Sequence, residues 1–295
     1  MLTLPRRAPD PGHSGRTVAN MTRAGRERHP ALAGKVSSAM PYDDTYPEGS
    51  VHVGLPSTSI TMIVAFDDAL DVGWLRSPEH ATYWTSASGL HTEPAVIRTH
   101  GHQHGIQLEL TPVGARALLG LHAGELAATT TDTERLPLGL TGSEHAWIAE
   151  GASDGVRLHR LEQALASRLG HRCGEAPHEV TEAWRVLGAT GGRARIDDVA
   201  RHVGWSRRTL LRRFTEELGV SPKRAARLFR FERARRLLMS GHSLTGTASY
   251  AGYADQAHLG REWRALTSQT PTETIHGPVA FVQDDPWSDG RGSSS

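Results

Sequence analysis

The sequence predicts an α+β fold: a β-rich N-terminal half followed by an all-α part with two helix-turn-helix units joined by a linker helix. Three observations carry this. Residues 50–112 alternate apolar and polar side chains with period two, broken by Gly and Pro. Apolar residues return at helical spacing after that. Residues 196–271 repeat one pattern of helix, Gly turn and arginine-bearing helix.

Taken in chain order, residues 1–39 hold scattered Arg, Pro and Gly without an apolar core segment. They are expected to be a disordered leader rather than a secretory signal, with Met40 as an alternative start. Ile60, Met62, Val64 and Phe66 alternate with Thr61, Ile63 and Ala65, which predicts a strand with a partly apolar second face. Ile106, Leu108 and Leu110 alternate with Gln107 and Glu109, a cleaner half-buried strand. Short strands of this kind suit a small barrel or cupin-like sandwich. Pro112 ends the sheet, Ala115–Leu121 is expected to be helical, and a further short helix falls near Gly124–Leu126.

Val156, Leu158, Leu161, Leu165 and Leu169 form an apolar stripe. Packing on its own barrel and pairing with a second copy are both open to it. A helix over 178–188 carries Val180, Ala183, Trp184 and Leu187, so the linker falls near 170–177. The expected division is therefore 1–39 leader, 40–170 effector-sensing and dimerisation domain, 178–275 helical domain, and 276–295 flexible tail.

In the helical part Val199, Ala200 and Val203 mark a short helix, Gly204 breaks it, and Ser206 caps the next. Leu210, Phe214 and Leu218 form its core stripe, beside Arg207, Arg208, Arg212 and Arg213. Gly219 ends this helix, and Ser221-Pro222 opens a linker helix to Met239, ~27 Å long at 1.5 Å per residue. The pattern then returns. Gly252-Tyr253 matches Gly204-Trp205, Trp263 matches Phe214, and Thr270-Pro271 matches Ser221-Pro222. Two helices meeting at a Gly turn, the second rich in arginine, are suited to entering a major groove, and the linker is a fitting spacer for successive grooves ~34 Å apart.

On "GWSRRTLLRRFTEELGVSPKRAARLFRFERARRLL" and "AGYADQAHLGREWRALTSQTP", residues 196–271 resemble the DNA-binding domain of the AraC/XylS family of transcriptional regulators. The segment His104–Leu121 looks like the effector-side domain of a subgroup of them. The resemblance implies that the helices opening at Ser206 and Asp255 read bases, through Arg207, Arg208, Leu211 and Arg212 in the first and Gln256, His258 and Arg261 in the second. Arginine suits guanine, glutamine adenine, and an apolar side chain the thymine methyl. For Leu211 a second core position beside Leu210 weighs about equally. Lys223 is a candidate phosphate contact. Gly246 and Thr247 depart from the family pattern inside the first helix of the second unit, where Gly costs ~1 kcal/mol against Ala. Ser268 stands where a Gly is usual.

Charge supports the division. Residues 176–275 hold 17 Arg/Lys against 10 Asp/Glu, whereas residues 1–175 hold 15 against 19. A basic half beside a mildly acidic one is expected when only one half meets phosphate, with solvated arginine faces as the other reading of charge alone. A single cysteine, Cys173, excludes an intrachain disulfide and fits a cytoplasmic location. No apolar run reaches the ~20 residues of a membrane span, so no membrane partner is expected.

His100, His102 and His104, with His91 upstream and Glu109 downstream, invite a metal reading, since cupins bind metals through such sets. With 17 His in the chain a polar turn explains the cluster better, and no metal or other cofactor is expected. No catalytic constellation stands out. Trp74, Tyr83 and Trp84 are expected in the core, with an apolar effector pocket as the other reading. The sequence therefore points to a sequence-specific DNA-binding regulator of double-stranded DNA, with a small-molecule effector and a homodimeric state expected. The rivals are a metal-binding cupin enzyme fused to a DNA-binding module and a sequence-indifferent architectural DNA binder.

Overall fold

The computed structural model describes residues 29–47, 49–77, 79–170 and 176–276. Cys173, most of the expected leader and nearly all of the expected tail lie outside them. Among the described residues nine strands form two antiparallel sheets: β1 (Val36–Thr45), β2 (Val51–Gly54), β3 (Ile60–Ala65), β4 (Leu70–Trp74), β5 (His80–Tyr83), β6 (Thr85–Ser88), β7 (Ala95–Arg98), β8 (His102–Leu110) and β9 (Thr130–Asp132). One sheet has the order β1-β8-β3-β6-β9, the other β2-β7-β4-β5. β1 begins inside the segment expected as leader, because Leu32 and Val36 supply core surface. Met40 lies mid-strand opposite Gln107.

The two faces of the larger sheet do different work. Ile60, Met62, Val64, Ile106, Leu108 and Leu110 are fully buried under helices. These are α1 (Pro112–Leu119), α2 (Gly142–Ala149) and α3 (Asp154–Ala166). Thr111 caps α1 by accepting from Gly114 N, so Pro112 ends the strand and opens the helix at once. The other face meets the smaller sheet through Tyr42, Ile63, Leu70, Val72, Ala95 and Ile97.

This second layer corrects the half-buried expectation for β8. Gln107 and Glu109, which pair with Ile63 and Thr61 across the ladder, are both buried. They satisfy each other instead of meeting water: Gln107 Nε2 donates to Glu109 Oε1 at 2.8 Å. Trp84 departs from its expected core position and is 47% exposed. Leu161 and Leu165 of α3 are fully buried in the main core, so that part of the apolar stripe packs within its own chain, while Val156 faces outward.

The helical part comprises α4 (His178–Ala189), α5 (Ile196–His202), α6 (Arg207–Leu218), α7 (Pro222–Met239), α8 (Leu244–Ala251), α9 (Gln256–Thr267) and α10 (Pro271–His276). α7 serves both units. Ala225, Ala226 and Phe229 enter one core with Leu210 and Phe214; Leu228, Phe231 and Ala234 enter another with Leu259 and Trp263. A helix packed on two sides has no single apolar face.

Candidate nucleic-acid interface

Each unit begins with a short helix ended by a left-handed glycine. Gly204 has φ 73° and Gly252 φ 85°, a region open to Gly without the steric cost of a Cβ. The closing bonds repeat as well: Trp205 N donates to Ala200 O and Tyr253 N to Ala248 O, both at 2.9 Å. This six-residue closure satisfies carbonyls that the helix end would leave bare. Ser206 then accepts from Thr209 N at 3.1 Å, and Asp255 from His258 N at 2.6 Å, starting α6 and α9.

The inner faces of α6 and α9 are set by burial. Leu210, Phe214 and Leu218 anchor α6; Leu259, Trp263 and Leu266 anchor α9. Trp263 Nε1 finds Thr274 Oγ1 at 2.8 Å. With those faces fixed, Arg207, Arg208, Leu211 and Arg212 are left on the exposed side of α6. Leu211 is 51% exposed beside a fully buried Leu210, so the core reading of Leu211 does not hold. Arg207 meets Asp197 and Arg212 meets Glu216, both at 3.2 Å. Such exposed pairs are worth little and give way readily to a stronger anion.

On α9, Gln256 and Arg261 are exposed. Gln256 Oε1 accepts from Thr245 Oγ1 at 3.1 Å. His258 is more engaged: its ring lies edge-on to Tyr253 and 3.7 Å from Glu262. Glu262 also binds Arg227 and Arg230 of α7 at 3.3 and 3.2 Å, which ties α9 to the linker helix. Lys223 is exposed in the first turn of α7. In the second unit Gly246 lies in the first turn of α8, where its N–H donates to the Ser243 cap at 3.1 Å. Thr247 is fully buried, and its hydroxyl finds no hydrogen-bond partner among the described residues.

Three contacts escaped the sequence reading, and two join the β-rich half to the helical half. Arg116 of α1 grips Glu217 of α6 through Nε at 2.6 Å and Nη2 at 2.7 Å. Glu232 of α7 accepts from Thr58 N at 2.7 Å and from Thr58 Oγ1 at 2.9 Å. The third is the Arg227–Arg230–Glu262 cluster. Glu217 did give a signal, because a carboxylate between Phe214 and Leu218 on a core stripe must find a partner. Leu55 also packs into the core of the second unit.

The histidines do not assemble the metal arrangement weighed above. The ladder from Thr45–His102 to Pro41–Ile106 runs without a shift, so His102 and His104 face opposite to Glu109. His91 is buried against Trp74. Among the described residues no group of three or more His, Cys, Asp or Glu could hold a metal ion. His104 instead bridges two carboxylates, Asp67 at Nδ1 and Asp154 at Nε2, both at 2.9 Å. Among the described residues no helix is long and apolar enough to cross a membrane.

Comparison with known proteins places this geometry. A helix-turn-helix domain family matches residues 199–276. An uncharacterized HTH-type transcriptional regulator, YbfI of Bacillus subtilis (strain 168), is 33% identical over 64 residues, 22% of this chain. The match spans only 23% of that relative's length. The whole fold is similar to ToxT from Vibrio cholerae. In its unsaturated fatty acid-bound form the TM-score is 0.55 at 10% identity, covering 88% of this chain and all of that one. A second ToxT structure gives 0.52 at 10% identity over 81% of this chain and 98% of the other. At such identity the likeness is one of fold.

Proposed function

We propose, on the premise that the chain carries an AraC-type helix-turn-helix domain, that it is a sequence-specific DNA-binding transcriptional regulator. The observation that carries this is the repeated turn: two glycine closures with the same hydrogen bond, each presenting a helix with exposed polar and basic side chains. α6 reads bases through Arg207, Arg208, Leu211 and Arg212, and α9 through Gln256, His258 and Arg261. Lys223 meets phosphate. Residues 178–275 make up the DNA-binding domain and 40–170 the sensing domain.

A small-molecule effector acting through the β-rich half is supported by the fold shared with ToxT, which is known in a fatty acid-bound form. The direct contacts at Arg116–Glu217 and Thr58–Glu232 give such a ligand a path to α6 and to the linker helix α7. Its effect is bounded by its differential affinity for the two arrangements of the halves. A homodimer placed in the cytoplasm completes the proposal.

The test is selection of duplexes from a random pool by the full-length chain, followed by anisotropy titration of the selected and shuffled duplexes at two salt concentrations. A preference of ~10³ or more is expected for the selected duplex. Equal affinity for both, with a steep salt slope, would instead make the chain a sequence-indifferent binder.

A further inference from the structure

The helical half gathers arginines that neither reading helix supplies. Arg193 stands in the loop between α4 and α5, and Arg233 and Arg236 stand on α7. Arg193 lies across the turn of the second unit, where a Cβ on Gly252 would sit 2.7 Å from its Cγ. Arg233 lies against Gly191, two residues before Arg193, where a Cβ would sit 2.9 Å from its Cδ.

Each guanidinium group is oriented by a bond to a backbone carbonyl. Arg193 Nε donates to Thr190 O at 3.1 Å, and Arg233 Nε donates to Tyr250 O at 3.0 Å. The other N–H groups of each fork carry no carboxylate partner among the described residues. Arg201, Arg207 and Arg212 by contrast each meet an Asp or Glu. Burial, and then repulsion from Arg193 and Arg236, hold the Arg233 guanidinium below its ordinary range. Cations brought together in this way are stabilised by an anion from outside the chain. Gly252 lies three residues before Asp255, the cap of α9, so the arginines stand at the N-terminal end of α9, the end that the proposed reading puts in a groove.

We infer that Arg193 and Arg233 form a phosphate clamp on the DNA backbone bordering the groove entered by α9. The clamp rests on the proposed DNA-binding reading. It would fix the second unit in register while carrying no sequence information itself.

The test uses the full-length chain with Arg193→Gln, Arg233→Gln and the double variant. Each binds the selected and the shuffled duplex across a salt series, with far-ultraviolet circular dichroism as the fold check. Each single variant should lower the salt slope by about 0.9 and weaken both duplexes by the same factor. An unchanged slope in the double variant overturns the clamp, as does a change of preference confined to one base position. If Arg233→Gln disturbs the fold through its bond to Tyr250, the exposed Arg193→Gln carries the test alone. An unaltered chain that binds every duplex equally defeats sequence-specific reading, while the slopes still judge the clamp. A chain that selects a sequence but shows unmoved slopes defeats only the clamp, and one that binds no duplex defeats both.

Discussion

Arg116 and Glu217, 101 residues apart in sequence, form a two-point ion pair that fastens α1 to the inner side of α6. The side chains are 22% and 6% exposed. Removing Arg116 leaves the Glu217 carboxylate nearly dry and unpaired, so Arg116→Ala should cost about 3 kcal/mol of stability. Urea unfolding followed by fluorescence checks this, and a loss below ~1 kcal/mol would show that water reaches the pair. Arg116→Met with Glu217→Leu should recover much of the loss, because a well-packed apolar pair replaces the charges.

His104 should make stability fall as pH rises above neutrality. Burial lowers its basicity, but hydrogen bonds to Asp154 and Asp67 and their charges outweigh that and raise its pKa above the usual value. Arg157 opposes them at 3.4 Å, while His102 stands nearby against Asp43 and Asp67. A group whose pKa is raised on folding contributes fully below its unfolded value, about 6.5 for His, and loses that contribution as pH passes the folded value. A neutral ring can donate only one of the two bonds. Melting temperatures from pH 6 to 9 should therefore decline more steeply for the native chain than for His104→Gln. Parallel curves would remove His104 from the account.

Glu109 titrates with the same sign for a different reason. Burial, above all, raises its carboxyl to about 7, with Glu232 adding to the rise and Gln107 opposing it. Its protonated form is favoured in the folded chain, so stability should be lost as pH climbs from the unfolded value near 4.5 through 7. Glu109→Gln should flatten that interval and leave the chain more stable than the native protein at pH 8. Chemical denaturation at pH 5 and pH 8 reads both effects; greater stability of the native chain at pH 8 would contradict them.

Ser268 closes α9 in the left-handed region, with φ 61°. A residue with a Cβ pays about 1 kcal/mol there that glycine does not. Ser268→Gly should thus stabilise the second unit by roughly that amount, visible as a higher denaturation midpoint at unchanged slope. A lower midpoint would mean that the Ser268 side chain contributes something the backbone does not show.

Arg212→Ala and Lys223→Ala should separate reading from holding. Loss of Arg212 should cost on the order of 1–3 kcal/mol at one base position and relax preference there. Loss of Lys223 should weaken all duplexes alike. Anisotropy against single-base variants of the selected duplex distinguishes them, and a uniform effect of both substitutions would take base reading away from Arg212.

The helical half was legible because each of its signals is local. Gly204, Ser206, Gly219, Ser221-Pro222 and Asp255 act on their own backbone, and the capping bonds are where those residues suggested. The β-rich half was legible as alternation but not as layers. Gln107 and Glu109 looked like a wet face because nothing in their spacing announces a second sheet lying over them. Leu211 and Trp84 show the same limit from the other side, being apolar residues whose exposure is decided by what fails to cover them. Contacts such as Thr58–Glu232, 174 residues apart, leave no periodic trace at all.

The two halves also meet where one glycine backbone lies against another. Gly219 ends α6 against Gly124 and Ala127, and a methyl group on either glycine would run into the opposite backbone or side chain. The helical part is therefore no interchangeable cassette. A chimera that keeps it and takes its β-rich half from elsewhere must also inherit a bare patch of backbone at this spot, or the graft will seat crookedly.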